Sequence, residues 1–157
     1  MLNVVTSKAS LRRALLIMDA LLKALERRDY EVSSGPTVTI FETSVRFGIT
    51  ESLEARREPC EDHNLDGAYE FGHNRFNERR QPSGRLSLEI QEGAPYWASG
   101  CRRTWRDTKT KRLEDRLSSF MAGLITMAAR IKEHNEEQER EAELRRQEEL
   151  VRHDLAP

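Results

Sequence analysis

The sequence has little cysteine, no long apolar run and no glycine-rich fingerprint of a nucleotide-binding fold. Two cysteines in 157 residues, Cys60 and Cys101, do not make a disulfide framework. They also fall short of a zinc signal. Cys60 and His63 have Cys-x-x-His spacing, with His73 and Cys101 further on, but a tetrahedral centre announces itself by two close-spaced pairs and only one is present. Ordinary thiols and surface histidines are the expectation, with no metal and no cofactor. The apolar stretch Ala14–Ile17 in the first helix is far short of a membrane span, and Met1-Leu2-Asn3-Val4-Val5 is too short for the apolar region of a signal peptide. A cytoplasmic protein without a membrane partner is expected. There is no Gly-x-Ser-x-Gly, no phosphate loop and no Rossmann pattern, and no nucleophile signature surrounds either cysteine. No catalytic residue follows from these motifs, and there is no internal repeat.

What is present is charge, unevenly placed. The charged fraction is 34% and the hydrophobic fraction 37%, too apolar for general disorder yet more charged than an ordinary domain. Glu133–Asp154 holds nine acidic and four basic residues, a net charge of −5, so the rest of the chain carries +4 against a total of −1. A mildly basic body and an acidic tail hide behind a near-neutral sum.

The body reads as a helix, a strand-forming middle and a second helix. Leu11, Ala14, Leu15, Met18, Leu21, Leu22 and Leu25 recur at helical steps from about Ser7 to Arg28, with Ser7 or Ser10 as cap. Leu16 and Ile17 broaden the stripe and predict cover on more than one side. Tyr30-Glu31-Val32 suggests a short strand. Thr37–Phe41 and Val45–Ile49, separated by Glu42-Thr43-Ser44, read as a hairpin, with Val45, Phe47 and Ile49 on one face. Glu51–Glu58 either prolongs that strand or forms a short helix. Residues 59–84, with three glycines and two prolines, carry the least signal. Leu86, Leu88 and Ile90 alternate as the clearest strand, ended by Gly93-Ala94-Pro95, and a short strand near Cys101–Trp105 is expected. Asp107 or Thr108 caps a second helix whose stripe is Leu113, Leu117, Phe120, Met121, Leu124, Ile125, Ala128 and Ile131. Beyond it Glu136/Arg140, Glu141/Arg145 and Glu148/Arg152 favour an exposed helix, while Leu144, Leu150 and Val151 are too sparse for a coiled-coil seam. The predicted fold is α+β: a small antiparallel sheet packed against two amphipathic helices in a compact domain of residues 1–132, followed by a charged helical tail, 133–157.

Three functional readings follow. Arg102, Arg103, Arg106, Lys109, Lys111, Arg112 and Arg116 surround Trp105, and residues 102–116 carry a net +4. Arginines and helix N-termini suit phosphate oxygens, and an indole can stack on a base. Arg102, Arg103, Trp105, Arg106, Lys109 and Arg112 are therefore the nucleic-acid-binding candidates, against the blander reading of a solvated helix face with a buried Trp. Arg79, Arg80 and Arg85 lie upstream. The second reading is a metal-dependent hydrolase of nucleic acid using Glu51 and Glu89, the latter in a Glu-x-Gln with Gln91, though the customary lysine is missing. The third is a scaffold that dimerises through helix faces. Tyr69, Phe71, Phe76, Tyr96 and Trp97, in or beside loops, either pin those loops or form a partner patch.

Three stretches in order carry a likeness: Arg13-Ala14-Leu15 with Met18–Leu21 and Lys23–Glu26, then Pro82–Leu88, then Trp105-Arg106-Asp107 with Arg112–Asp115. Together they resemble the C-terminal region of a group of uncharacterised bacterial proteins whose longer members begin with a helix-turn-helix-like segment. The resemblance spans most of residues 8–130 and implies a bacterial cytoplasmic protein with a link to DNA. It brings no catalytic residues, and no helix-turn-helix segment is expected before residue 8. The reading is a non-enzymatic regulatory or interaction domain associated with nucleic-acid metabolism, contacting phosphates through the basic surface and a protein partner or second copy through its helices.

Overall fold

The computed structural model describes residues 4–33, 35–59, 76–91 and 100–155. Among these are six strands and two helices. β1 (Val4–Val5) leads into α1 (Lys8–Glu26), followed by β2 (Glu31–Ser33), β3 (Thr37–Ile40), β4 (Thr43–Pro59), β5 (Phe76–Ile90), β6 (Thr104–Arg106), a 3-10 turn at Leu113–Arg116 and α2 (Leu117–Asp154). The sheet runs β2-β3-β4-β5-β6, antiparallel at every step, and β1 adds a parallel pairing to β4 through Val4↔Ile49 and Val5↔Thr50.

The period-two alternation decides which face is buried. Val38, Ile40, Val45, Phe47, Ile49, Leu86, Leu88, Ile90 and Trp105 share one face and join a single core with both helices. The other face carries Thr37, Thr39, Arg46, Gly48, Thr50, Ser87, Glu89, Thr104 and Arg106. Each Leu-sized side chain buried here contributes roughly 1.5–3 kcal/mol. Phe47, Phe120 and Trp105 pack edge to face, with centroids 5.7 Å and 5.0 Å apart.

Ser7 caps α1, its Oγ accepting from the Ser10 N–H at 3.4 Å. At the other end Asp29, at φ 60°, closes a Schellman-type turn: Tyr30 N–H donates to Leu25 O and Asp29 N–H to Glu26 O. The buried face of α1 is Ser10, Ala14, Ile17, Met18, Leu21 and Leu25. Ile17 thus belongs to the core, while Leu11, Leu15 and Leu16 are 42%, 41% and 61% exposed. The expected cover on a second side is absent among the described residues, because both the sheet and α2 meet the same stripe.

Three boundaries differ from expectation. The β3–β4 turn is Phe41-Glu42 alone, with both residues at positive φ, and Thr43 already pairs with Ile40. β4 takes the strand alternative over Glu51–Glu58, and β5 runs beside it as the second strand of an arm, in register from Leu53↔Pro82 to Pro59↔Phe76. Pro82-Ser83-Gly84 therefore lies inside a strand as a bulge rather than before one, with Gly84 at φ 75°. Lastly, neither Asp107 nor Thr108 caps α2. Thr108 closes a turn on Lys111, the 3-10 turn intervenes, and α2 starts at Leu117. Met127 joins the expected apolar stripe of α2 in the core. α2 is one helix across position 132; its last buried side chain is Ile131, and every described residue from Asn135 on is exposed. The segment Gly93-Ala94-Pro95 lies outside the described residues.

Candidate functional site

Two carboxylates lock the end of the sheet from which the arm projects. Glu51, at the foot of the arm, accepts from Ser7 N–H at 2.7 Å, Ser10 Oγ–H at 2.8 Å and Gly84 N–H at 2.8 Å. Burial pushes its carboxyl up, but these donors outweigh burial and hold it below its ordinary value. Asp107, with a side chain 8% exposed, takes a bidentate pair from Arg13 at 2.7 and 2.8 Å and the backbone N–H groups of Leu86 and Leu113, both at 2.8 Å. Burial again opposes ionisation, and again the Arg13 guanidinium and the two N–H donors prevail, so its carboxyl also lies low. Arg13 reaches Glu114 as well, with both contacts at 2.7 Å. Its bonds to Glu114 and then Asp107 raise the guanidinium further above its ordinary value. Every acceptor of these two carboxylates is directed at the protein itself, which marks them as braces between α1, the sheet and the 3-10 turn.

The six expected nucleic-acid-binding residues are not one surface. Trp105 is 1% exposed; its Nε1–H donates to Ser119 Oγ at 3.0 Å and its ring fills the space over Gly123, where a Cβ would overlap it. It is a core residue and cannot stack on a base. Arg102 covers the Trp105 ring at 5.1 Å and donates through Nε to Thr104 O. Arg103 is half-buried and engaged within the fold. Arg106 alternates with Trp105 along β6 and so points from the opposite face, opposite Ser87. Lys109 and Arg112 are exposed in the loop that follows, as is Lys111.

The topology brings other cations to this end. Asp107 N–H donates to Leu86 O, so the loop after β6 begins beside the foot of the arm. On the arm Arg56 is the register partner of Arg79, and Ala55 that of Arg80. Arg56, Arg79 and Arg80 are exposed, with no ion pair among the described residues. Arg85 at its foot pairs with Glu54 at 3.6 Å. Cross-strand arginines normally repel. The juxtaposition of Arg56 and Arg79 was invisible in the sequence, since it depends on the register across the bulge at Glu51/Leu53.

The alternative carboxylate pair does not converge. Glu51 pairs in register with core-facing Leu86, whereas Glu89 pairs with Gly48 on the other face. Among the described residues no group of three or more His, Cys, Asp or Glu is placed to hold a metal ion. Cys101 is a half-buried free thiol. Cys60, His63, His73, Tyr69, Phe71, Tyr96 and Trp97 lie outside the described residues, and no described helix is long and apolar enough to cross a membrane.

Among the described residues the fold and site define a mixed α+β domain: a six-stranded sheet, two helices and a two-stranded arm with exposed arginines. Comparison with models of protein families, with curated proteins and with solved structures finds no match.

Proposed function

We propose that this domain is a non-enzymatic binding module of a bacterial cytoplasmic protein associated with nucleic-acid metabolism, and that it grips the phosphate backbone without reading sequence. The observation that carries the reading is the facing pair Arg56 and Arg79 on an exposed two-stranded arm, with Arg80 beside it. Two guanidiniums held opposite one another repel, and an anion between them turns repulsion into a clamp. Arg106, Lys109, Lys111 and Arg112 extend this charge across the foot of the arm. A β-ribbon is one of the elements that fits a nucleic-acid groove. The contact surface thus keeps Arg106, Lys109 and Arg112 from the sequence-based set, omits Arg102, Arg103 and Trp105, and gains the arm. In this reading the two helices are amphipathic cover for the sheet, and the charged tail serves partner contacts. No observation favours a hydrolase, because Glu51 is fully used as a brace.

Fluorescence anisotropy of a labelled duplex and a labelled single strand at low and moderate salt tests this. Binding should fall steeply with salt. Arg56→Glu with Arg79→Glu should weaken all sequences alike and reduce the salt slope by about two units. Arg102→Glu, whose contacts among the described residues are the Trp105 ring and the Thr104 carbonyl, should change little. An arm double variant that binds like the parent protein removes this site.

A further inference from the structure

The two helices leave apolar surface uncovered in two places, and the charges around them are opposite. On α1, Leu11, Leu15 and Leu16 stand exposed and line two adjoining open grooves of about 470 and 500 Å³. Arg12 and Leu16 border both, and Leu117 closes one side. Lys8–Arg28 holds six basic and two acidic residues, a net charge of +4; at the grooves themselves the positive charge rests on Lys8 and Arg12, since Arg13 is held by Asp107 and Glu114. At the far end of α2, Leu144, Val151 and Leu155 are 60%, 58% and 78% exposed and, with Glu148 and Arg152, line a shallow groove along one side of the helix. Positions 144, 148, 151 and 155 follow steps of four, three and four, which is one face of a helix. The segment around them, Glu133–Asp154, has a net charge of −5.

We infer that the acidic tail of α2 docks on the cationic apolar face of α1 in a second copy of this chain, reciprocally, forming a two-fold dimer. The lengths agree: the tail from Glu133 to Asp154 spans about 33 Å and α1 about 28 Å at the helical rise. The partner must be another chain, because α2 runs without a break from Leu117 to Asp154 and every described residue from Asn135 on is exposed, so the tail is not packed on its own described body. Opposed charge selects this pairing over the like-charged alternatives, tail on tail or α1 on α1. A reciprocal contact also closes the assembly at two chains, since each groove receives one tail. Arg12, between the two grooves, faces Glu148, in the middle of the tail stripe.

Sedimentation velocity on the full chain over a wide concentration range reads the outcome. The parent protein should pass from monomer to dimer. Leu15→Glu with Leu16→Glu should be monomeric, as should Leu144→Glu with Val151→Glu. All four positions are exposed, and circular dichroism checks that both variants fold. Mixing the two should restore a heterodimer, because the intact tail of one meets the intact groove of the other. Arg12→Glu or Glu148→Arg alone should weaken association at least tenfold, and the two together in one chain should restore it. Any of three results overturns the proposal: a monomeric parent at all concentrations, either leucine or valine variant dimerising alone, or a mixture that stays monomeric.

Discussion

Asp107 shows how much a single residue can brace when four donors meet it. Its carboxylate takes two bonds from Arg13 and one each from Leu86 and Leu113, joining residues up to 94 positions apart. In the sequence Asp107 reads as a helix cap and Glu51 as a metal ligand, because a local window shows an acid before a helix or after a strand and nothing of its distant donors. Trp105 gives the opposite lesson. Its burial was already the blander expectation, and the alternation of β6 makes it so while sending Arg106 the other way. Asp107→Asn should destabilise the protein by roughly 2–3 kcal/mol at neutral pH, since it removes the charge that Arg13 and two N–H groups face. The effect depends on pH with a definite sign. The carboxyls of Asp107, Glu51 and Glu114 lie below their ordinary values of 3.8, 4.5 and 4.5 when folded. Glu114 is lowered chiefly by its bond to Arg13, against the opposing effect of burial. Their stabilisation is therefore complete above those ordinary values and is lost as pH falls through the lower folded ones. Urea midpoints of parent and Asp107→Asn should differ widely at neutral pH and converge in acid. A gap that is constant with pH would show that the charge of Asp107 is not what holds Arg13.

At the scale of elements, periodicity was legible and termination was not. The alternations Val45–Phe47–Ile49 and Leu86–Leu88–Ile90 are buried as expected, and so is the stripe from Phe120 to Ile131 except Ile125, which is half-buried at its edge. The α1 stripe was read one notch too wide, because Leu11 and Leu15 sit on the flank of the true face centred on Ala14, Met18 and Leu21. The β4 half of the arm is one of two alternatives open for Glu51–Glu58, but its β5 half is hidden, because Pro82-Ser83-Gly84 looks like punctuation and the residues before it are polar. Its pairing with β4 is what makes it a strand, with the Glu51 carboxylate holding the bulge at Gly84. The hairpin turn was misplaced for a similar reason. A two-residue turn at Phe41-Glu42 has φ 51° and 63°, which suits Asn-Gly far better than Phe-Glu. An L residue in this conformation carries a penalty of about 1–2 kcal/mol, partly offset by the lower entropy of its unfolded chain. Glu42→Gly should accordingly stabilise the protein by about 0.5–1 kcal/mol, seen as a rise of a few degrees in Tm. A fall in Tm would mean that the turn is held by the Glu42 side chain rather than merely tolerated.

Over the whole molecule, charge and burial divide at the same place. Burial in α2 ends at Ile131, two residues before the stretch with net charge −5 begins, yet the helix itself does not stop. That segregation was visible in composition, whereas the continuity of α2 and the open face of α1 were not, since both depend on what packs where. A helix that leaves its core adds nothing to the stability of that core unless something docks on it. In dilute solution, removal of residues 134–157 should therefore leave Tm unchanged. At high concentration the two proteins should part. Association stabilises the folded state by RT ln(1 + [L]/Kd), about 2.7 kcal/mol when the partner is at a hundred times Kd. The full chain should then gain several degrees over its dilute value, and the shortened chain should gain none. A shortened chain that melts lower even in dilute solution would mean that the tail packs on its own body, and reciprocal docking would lose its premise. A full chain whose Tm ignores concentration would mean that the exposed leucines of α1 have no partner in a second copy.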